Sequence, residues 1–460
     1  MLLSFRVENH KSIREEQQLL LTPVYDDARP ESADWEAVTV AGVFGANASG
    51  KSNLLDALAF MRDTVRWSMN NAEPGGGIAR VPFALDTESA SEPSIFVVDL
   101  KLSGVRHTYG FAIDDERVTE EWLYTYPKGR RRVLFERDGA EFTFGDSTPA
   151  KLRQVKDITG PNILFLTIAA RASNEDVEPI YRWFSDDLTF AEERRPGPPA
   201  WLTRQSVSED RMVHLSELLK SAGTGVRSVE LEPAPVSGET STPFLWYSYG
   251  ARDPHPKGID SRFRESLTRR ALAREGKRAA AANASHWITR ITPPGLLFHH
   301  EGDECARPLT WDEESKGTRT LAALGYEAQR TLETGGVLLV DEIDASLHPY
   351  LSARVIALFQ DEEQNPHGAQ LVFTSHDAAL LGRVRGEEVL MRDHIWFVDK
   401  DDRGRSTLYP LSDFKPRGDD SRARRYLVGR YGAVPDIDDE LFRAALSRRE
   451  AALATWGVSE

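Results

Sequence analysis

The octapeptide Gly45-Ala-Asn-Ala-Ser-Gly-Lys-Ser52 constrains the fold of this chain more than any other stretch. Before it, residues 38–44 form an apolar run, and after it Leu54, Leu55, Leu58, Met61 and Val65 recur at helical spacing. A strand that turns through glycines straight into a helix is a building block of α/β sheets. At such a helix start the unpaired N–H groups and the positive dipole end both face an anion, so the loop reads as a phosphate cradle. Gly45, Asn47, Ser49, Gly50, Lys51, Ser52 and Asn53 are the candidate nucleotide-binding residues. Lys51 is expected to reach the β- and γ-phosphates, and the Ser52 hydroxyl to hold Mg²⁺. A chance glycine-rich turn would not need all four fixed positions in a strand-turn-helix context.

A second set of residues completes the pattern. Val337-Leu-Leu-Val340 is wholly apolar, as a central parallel strand is, and it ends in Asp341-Glu342 where the ligand crevice of such a sheet opens. Asp341 is the expected Mg²⁺ partner, acting through water, and Glu342 the general base that orients the attacking water. Pro349 then suits a first helical position, with Leu351, Val355, Leu358 and Phe359 as the buried face. Another apolar strand runs into Thr374-Ser-His376-Asp377, where a neutral imidazole at His376 can hydrogen-bond a γ-phosphate. Upstream, Glu314-Ser-Lys-Gly-Thr-Arg319 opens a helix that Gly335-Gly336 stops. Ser315 fits its N-cap and Gly317 lets backbone approach closely; an ordinary capped helix would look the same, and only the order of the motifs favours a nucleotide role.

The rest of the chain supplies organisation. Residues 94–144 alternate apolar and polar between turn signals, which predicts an antiparallel meander. Residues 151–221 turn helical and form an inserted lobe beside the breaker Arg195-Pro-Gly-Pro-Pro199; its aromatics Trp183, Phe184 and Trp201 either anchor a partner or fill the lobe's own core, the latter reading fitting Trp183 and Phe184 better than Trp201. The expected boundaries are an N-terminal ATPase lobe (1–150), an inserted, mostly helical lobe (151–294), a C-terminal ATPase lobe (295–410) and a helical tail (411–460). Residues 257–278 hold eight basic and three acidic residues. Over the whole chain a net charge of −15 excludes a generally basic nucleic-acid surface. No apolar run approaches the ~20 residues of a membrane helix. With one cysteine, Cys305, and no signal-peptide core, a cytoplasmic protein without membrane contact is expected.

P-loop, insertion, Ser-x-Gly helix start, Asp-Glu and strand-end His follow one another in an order that resembles the ATP-binding-cassette ATPases, including SMC and RecF-like heads. That resemblance implies an α/β, P-loop ATP-binding-cassette-type head with an antiparallel β-meander and an inserted helical lobe, using ATP and Mg²⁺. It also implies that Ser315 and Gly317 of one subunit cap the γ-phosphate held by another, in a homodimer or higher homo-oligomer. Phe5-Arg-Val-Glu-Asn-His-Lys-Ser12, the P-loop with its flanks, Glu314 to Arg319, Val340-Asp-Glu-Ile-Asp-Ala-Ser-Leu-His-Pro349 and Tyr426-Leu-Val-Gly-Arg-Tyr-Gly-Ala-Val-Pro435 together resemble the AbiL-type and RloA-type abortive-infection ATPases, relatives of the OLD family. The implication is phage defence, with a separate effector, often a nuclease, and DNA or a phage protein as candidate trigger. In such heads the residues matching Asn9, Lys11 and Ser12 lie near the base and ribose. Two departures stand out: Lys316 separates Ser315 from Gly317 where transporters carry adjacent glycines after the serine, and Leu347-His348-Pro349 occupies the place near the usual dimer-loop aspartate. Gln154 is the one Gln-loop candidate. Glu387-Glu388 and Asp399-Lys-Asp401-Asp402 are too closely spaced for a nuclease acid set and read as a hairpin turn. The alternative function is a RecF/SMC-like ATPase clamp acting on DNA in repair.

Overall fold

In the computed structural model, the structure describes residues 1–25, 35–71, 76–146, 148–172, 175–191, 209–232, 295–302, 307–414, 421–435 and 438–446. The basic segment 257–278, the breaker at 195–199, Trp201 and Cys305 lie outside the described residues.

Among the described residues the chain opens with β1 (Leu2–Glu8), β2 (Gln17–Leu20) and β3 (Val40–Phe44), and the P-loop leads into α1 (Lys51–Asn71). The meander follows as β4 (Ser94–Leu102), β5 (Val105–Ile113), β6 (Val118–Tyr126), β7 (Arg132–Asp138) and β8 (Glu141–Phe144). With β1 and β2 it forms an antiparallel sheet in the order β2-β1-β4-β5-β6-β7-β8. Alternation sets its two faces: Phe96, Val98 and Leu100 point inward on β4 and meet Tyr109 and Phe111 of β5 in the core.

Helices α2 (Ala150–Gln154), α3 (Phe165–Arg171) and α4 (Glu178–Arg182) then lead to β9 (Leu188–Ala191), a strand inside a segment whose periodicity reads as helical. At four residues β9 is too short for periodicity to reveal; pairing in parallel with the strand Val337–Val340 makes it a strand. Of the two readings for Trp183 and Phe184, burial holds, but in the main core and not in a core of the lobe's own, with Trp183 edge-on to Phe184 and Phe184 edge-on to Tyr109. Their spacing signalled a buried face, and the core filled by that face is the protein's own.

The site-bearing sheet is built from β13 (Val337–Val340), β14 (Gln370–Ser375), β17 (Ile395–Lys400) and β18 (Ser406–Pro410), in the order β18-β17-β3-β14-β13-β9. All its pairings are parallel except β17 with β18. Between β13 and β14 runs α7 (Pro349–Gln360), and β13 is preceded by α6 (Lys316–Thr334). The small hairpin β15 (Arg383–Val384) and β16 (Glu387–Glu388) precedes β17, and α8 (Arg422–Leu427) follows β18. Gln370 ties this sheet to the meander: its Oε1 accepts from the Leu2 N–H at 2.6 Å while its Nε2 donates to the Leu2 and Val38 carbonyls at 2.8 and 3.1 Å. Glu121, fully buried, caps the start of α3 by accepting from the Phe165 and Leu166 amides at 2.6 and 2.9 Å, and it faces Arg137 at 3.8 Å. Burial pushes its carboxyl up, and the Arg137 guanidinium opposes that shift.

Compact units comprise Met1–Arg194 with Ser315–Glu460, and Arg195–Glu314. In the second, α5 (Glu209–Ser221) packs on a sheet of β10 (Val226–Leu231), β11 (Leu296–His300) and β12 (Leu309–Thr310), and the Val229 N–H donates to Ser216 Oγ at 2.8 Å.

Candidate nucleotide site

Parallel pairing brings the functional residues to one edge. β14 lies between β3 and β13, with Ser375 opposite Phe44 and Phe373 opposite Val340, so the loops after all three strands emerge side by side. That is the crevice at which open α/β sheets bind ligands. Helix α1 holds the loop from behind with Leu54, Leu55, Leu58, Met61 and Val65, all buried at the spacing read from the sequence.

Two glycines are required by contact. A Cβ on Gly45 would fall 2.7 Å from Ser49 Oγ and collide with the Val398 carbonyl, and Gly50, at φ 110°, faces Ser12 Oγ at 2.7 Å. Ala48 sits at φ 64°, a left-handed conformation that disfavours a Cβ. Glu342 (φ 56°) and Ser346 (φ 63°) share it on the loop after β13. Non-glycine residues held there by their surroundings are a mark of functional sites.

Lys51, 7% exposed, donates from Nζ to the Gly45 and Ala46 carbonyls at 2.7 and 2.8 Å. Burial pushes its ammonium down, while the carboxylates of Glu342, Asp341 and Asp344 push it back up. Ser52 Oγ donates to Asp341 Oδ1 at 2.8 Å. The same oxygen accepts from Thr374 Oγ1 at 2.7 Å, and Thr374 Oγ1 in turn accepts from the Glu342 N–H at 2.7 Å. One threonine on β14 thus fixes both carboxylate positions. Its hydroxyl carries no motif signal; only the register of β13 against β14 exposes it.

His376, with a side chain 57% exposed, contacts Asp344 Oδ2 through Nδ1 at 3.2 Å. His376 thus lies, at the end of β14, beside a carboxylate next to the mouth of the loop. Asp344 carries no role in the motif by itself; its spacing, two residues after Glu342, is the signal that points to it.

The other candidates divide. Asn47 is exposed at the tip of the loop, whereas the Ser49 side chain is buried beneath it. Asn53 Nδ2 donates to Ser12 Oγ at 2.6 Å, which joins the N-terminal strand loop to the P-loop. Asn9, by contrast, uses its amide on the Ser89 and Glu92 carbonyls and the Phe83 N–H, so it serves the meander. Lys11 pairs with Asp56 on α1. Ser315 is the N-cap of α6, accepting from the Thr318 N–H at 3.1 Å, and Gly317 lies where a Cβ would be 3.0 Å from the Ser346 carbonyl. Ser315 and Lys316 are exposed. Gln154 is an exposed residue closing α2. Asp399, Asp401 and their neighbours make the β17–β18 hairpin, in which Asp401 accepts from the Arg403 and Arg405 amides.

The residues fit Mg²⁺ and a triphosphate. The backbone cradle admits no Cβ at Gly45 or Gly50, the hydroxyl-carboxylate pair Ser52–Asp341 offers oxygen ligands suited to a hard cation, and Asp344 Oδ1 is buried without a hydrogen-bond partner among the described residues.

A family model for the AAA domain described as a putative AbiEii toxin of a type IV toxin–antitoxin system matches residues 40–382, from the strand before the P-loop to just beyond His376. The chain belongs to this AAA-domain family. Solved structures similar to this AAA domain include the SMC head domain from Thermotoga maritima (12% identity over 89% of this chain and 98% of that chain, TM-score 0.34). Another is an Smc head domain with an extended coiled coil bound to the C-terminal domain of ScpA, from Pyrococcus furiosus (13% identity, 90% and 97% covered, TM-score 0.38). A third is an SmcHead bound to the C-winged helix domain of ScpA (14% identity, 89% and 96% covered, TM-score 0.39). Among curated proteins no sequence matches it. Among the described residues no helix is long and apolar enough to cross a membrane.

Proposed function

We propose that this AAA domain binds and hydrolyses ATP with Mg²⁺, and that it is the regulatory ATPase of an anti-phage abortive-infection system. In this reading it assembles through nucleotide sites completed between subunits and controls a separate effector, with a nuclease as the candidate class. The observation that carries the ATPase reading is the continuous set of bonds Ser52–Asp341–Thr374–Glu342 at the mouth of a glycine-shaped phosphate loop. Membership of a family described by a toxin–antitoxin system supports a paired partner.

Lys51 and the loop amides bind the phosphates and hold the γ-phosphoryl in line with the attacking water. Glu342, exposed and oriented by its own N–H on Thr374, accepts the proton of that water. Mg²⁺, when bound by Ser52 and through Asp341, neutralises charge on the phosphate oxygens. His376, beside Asp344, hydrogen-bonds the same oxygens. In this reading Ser315 and Gly317, at the start of α6, cap a phosphate on another subunit.

The regulatory reading is tested by purifying the protein with its genetically adjacent partner. Co-purification, with partner activity that changes on ATP addition, is the expected result. ATPase activity stimulated by DNA alone, with no bound partner, would favour the repair-clamp function instead.

A further inference from the structure

We propose that Ser406, the first residue of β18, is a positioning residue of the phosphate loop: its hydroxyl fixes the peptide between Ser49 and Gly50 so that the Gly50 N–H is aimed at a bound phosphate. This rests on the ATP-binding reading above. Ser406 is 3% exposed, and its Oγ donates to the Ser49 carbonyl at 2.6 Å. In a trans peptide the C=O and the following N–H share one rigid plane and point in opposite directions. A hydroxyl that holds the Ser49 carbonyl on the hairpin side therefore turns the Gly50 N–H to the other side of the loop. With the Ser406 proton committed to that carbonyl, the bond between the Ser406 and Ser12 hydroxyls, 2.7 Å apart, takes its proton from Ser12, and Ser12 Oγ accepts from Asn53 Nδ2 at 2.6 Å. Two hydroxyls from outside the loop thus tie residue 49 to residue 53 across the start of α1. Gly50 lies between them, where a Cβ would collide with Ser406 Oγ.

The β17–β18 hairpin is built to hold Ser406 at that place. Asp401 closes its turn: the Asp401 N–H donates to the Arg405 carbonyl at 3.0 Å, and Oδ1 accepts from the Arg403 and Arg405 amides at 3.0 and 2.8 Å. Three further bonds fasten the hairpin to the segment that joins β1 to β2. The Ser406 N–H donates to the Ser12 carbonyl at 2.7 Å, the Leu408 N–H to Gln17 Oε1 at 2.7 Å, and Arg405 Nη1 to Glu15 Oε1 at 2.9 Å. None of these uses the Ser406 hydroxyl, so Ser406→Ala keeps the hairpin docked and removes only the bonds that its Oγ makes to Ser49 and Ser12.

The test compares Ser406→Ala with Arg405→Ala, which removes the hairpin's surface ion pairs to Glu15 and Asp401 and no bond to the loop. Titration with a fluorescent ATP analogue and Mg²⁺ should show Ser406→Ala weakening binding about five-fold, the scale of one hydrogen bond, with turnover at saturation unchanged. Arg405→Ala should bind as the wild type does. Because a variant can fail to fold, hydrogen exchange on the wild type gives a second readout: amides in 401–408 should slow when ATP and Mg²⁺ are added, since coupling between hairpin and nucleotide is reciprocal. Wild-type affinity in Ser406→Ala, even with lowered unfolding stability, would mean that the hydroxyl serves the fold only. That result, equal weakening in Arg405→Ala, or exchange in 401–408 indifferent to bound ATP overturns the positioning role alone. A wild type that binds no ATP overturns both this inference and the reading beneath it.

Discussion

Lys51 already spans the loop, bonded to the Gly45 and Ala46 carbonyls, so its ammonium is both a structural tie and the cation that a triphosphate meets. Lys51→Ala should therefore abolish ATP binding in calorimetry; affinity equal to the wild type would contradict the assignment. The octapeptide made this residue legible, because its chemistry is local to eight consecutive positions. Thr374 was not legible in the same way. Its hydroxyl matters only because β14 pairs with β13 in the register that sets Phe373 opposite Val340, a fact that no local pattern contains. Thr374→Val keeps the shape, leaves Asp341 Oδ1 without one donor and the Glu342 N–H without its acceptor, and should slow hydrolysis by about ten-fold or more while ATP binding persists. Steady-state phosphate release, measured beside nucleotide affinity, checks the split; unchanged turnover would remove Thr374 from the positioning role.

At the scale of elements, the start of α6 and the loop after β13 form one surface. Gly317 packs on the Ser346 carbonyl, and Ser346 itself is in the left-handed region, so the helix can approach the loop only because residue 317 lacks a Cβ. Gly317→Ala tests that packing alone, whereas Gly317→Glu adds a carboxylate facing any phosphate brought by another subunit. Hydrolysis should fall much further in Gly317→Glu than in Gly317→Ala, with ATP binding kept in both. Equal effects would mean that the residue serves packing only. The meander and the P-loop unit were legible from alternation and turn signals, since those elements are long and regular. Strand β9 and the burial of Trp183 were not, because a four-residue strand and an aromatic at helical spacing acquire their meaning from what they pack against. Glu121 is a further instance: on β6 it looks like one member of an acidic pair with Glu120, yet it is buried, caps α3 and balances Arg137. Glu121→Ala leaves that guanidinium, 2% exposed, without its counter-charge and should cost about 3–5 kcal/mol in denaturant unfolding. A loss below about 1 kcal/mol would show that the pair is dispensable.

For the whole molecule, the proposal that Ser315 and Gly317 complete a nucleotide site on another subunit requires two subunits to close when ATP binds. Light scattering should show a larger particle with ATP in the Glu342→Gln variant, which retains bound nucleotide, and the monomer or resting assembly without it. Persistence of the ATP-induced particle in Gly317→Glu would separate assembly from that helix start. The parallel order of β3, β14 and β13 was foreseeable in outline, since the sequence places three apolar strands before three polar loops. That Tyr426 of α8 packs edge-on to Phe44, the last residue of β3, was not, because only the fold brings them together.

The central claim is that one site made of Lys51, Ser52, Asp341 and Glu342 binds and hydrolyses ATP. Phosphate release and ATP binding measured together on the wild type and on Glu342→Gln test it most directly. Both proteins should bind ATP in the presence of Mg²⁺, and the variant should turn over roughly 10²–10⁴-fold more slowly, the usual contribution of a general base. Equal turnover by the two proteins, or a wild type that neither binds nor hydrolyses ATP, would contradict it.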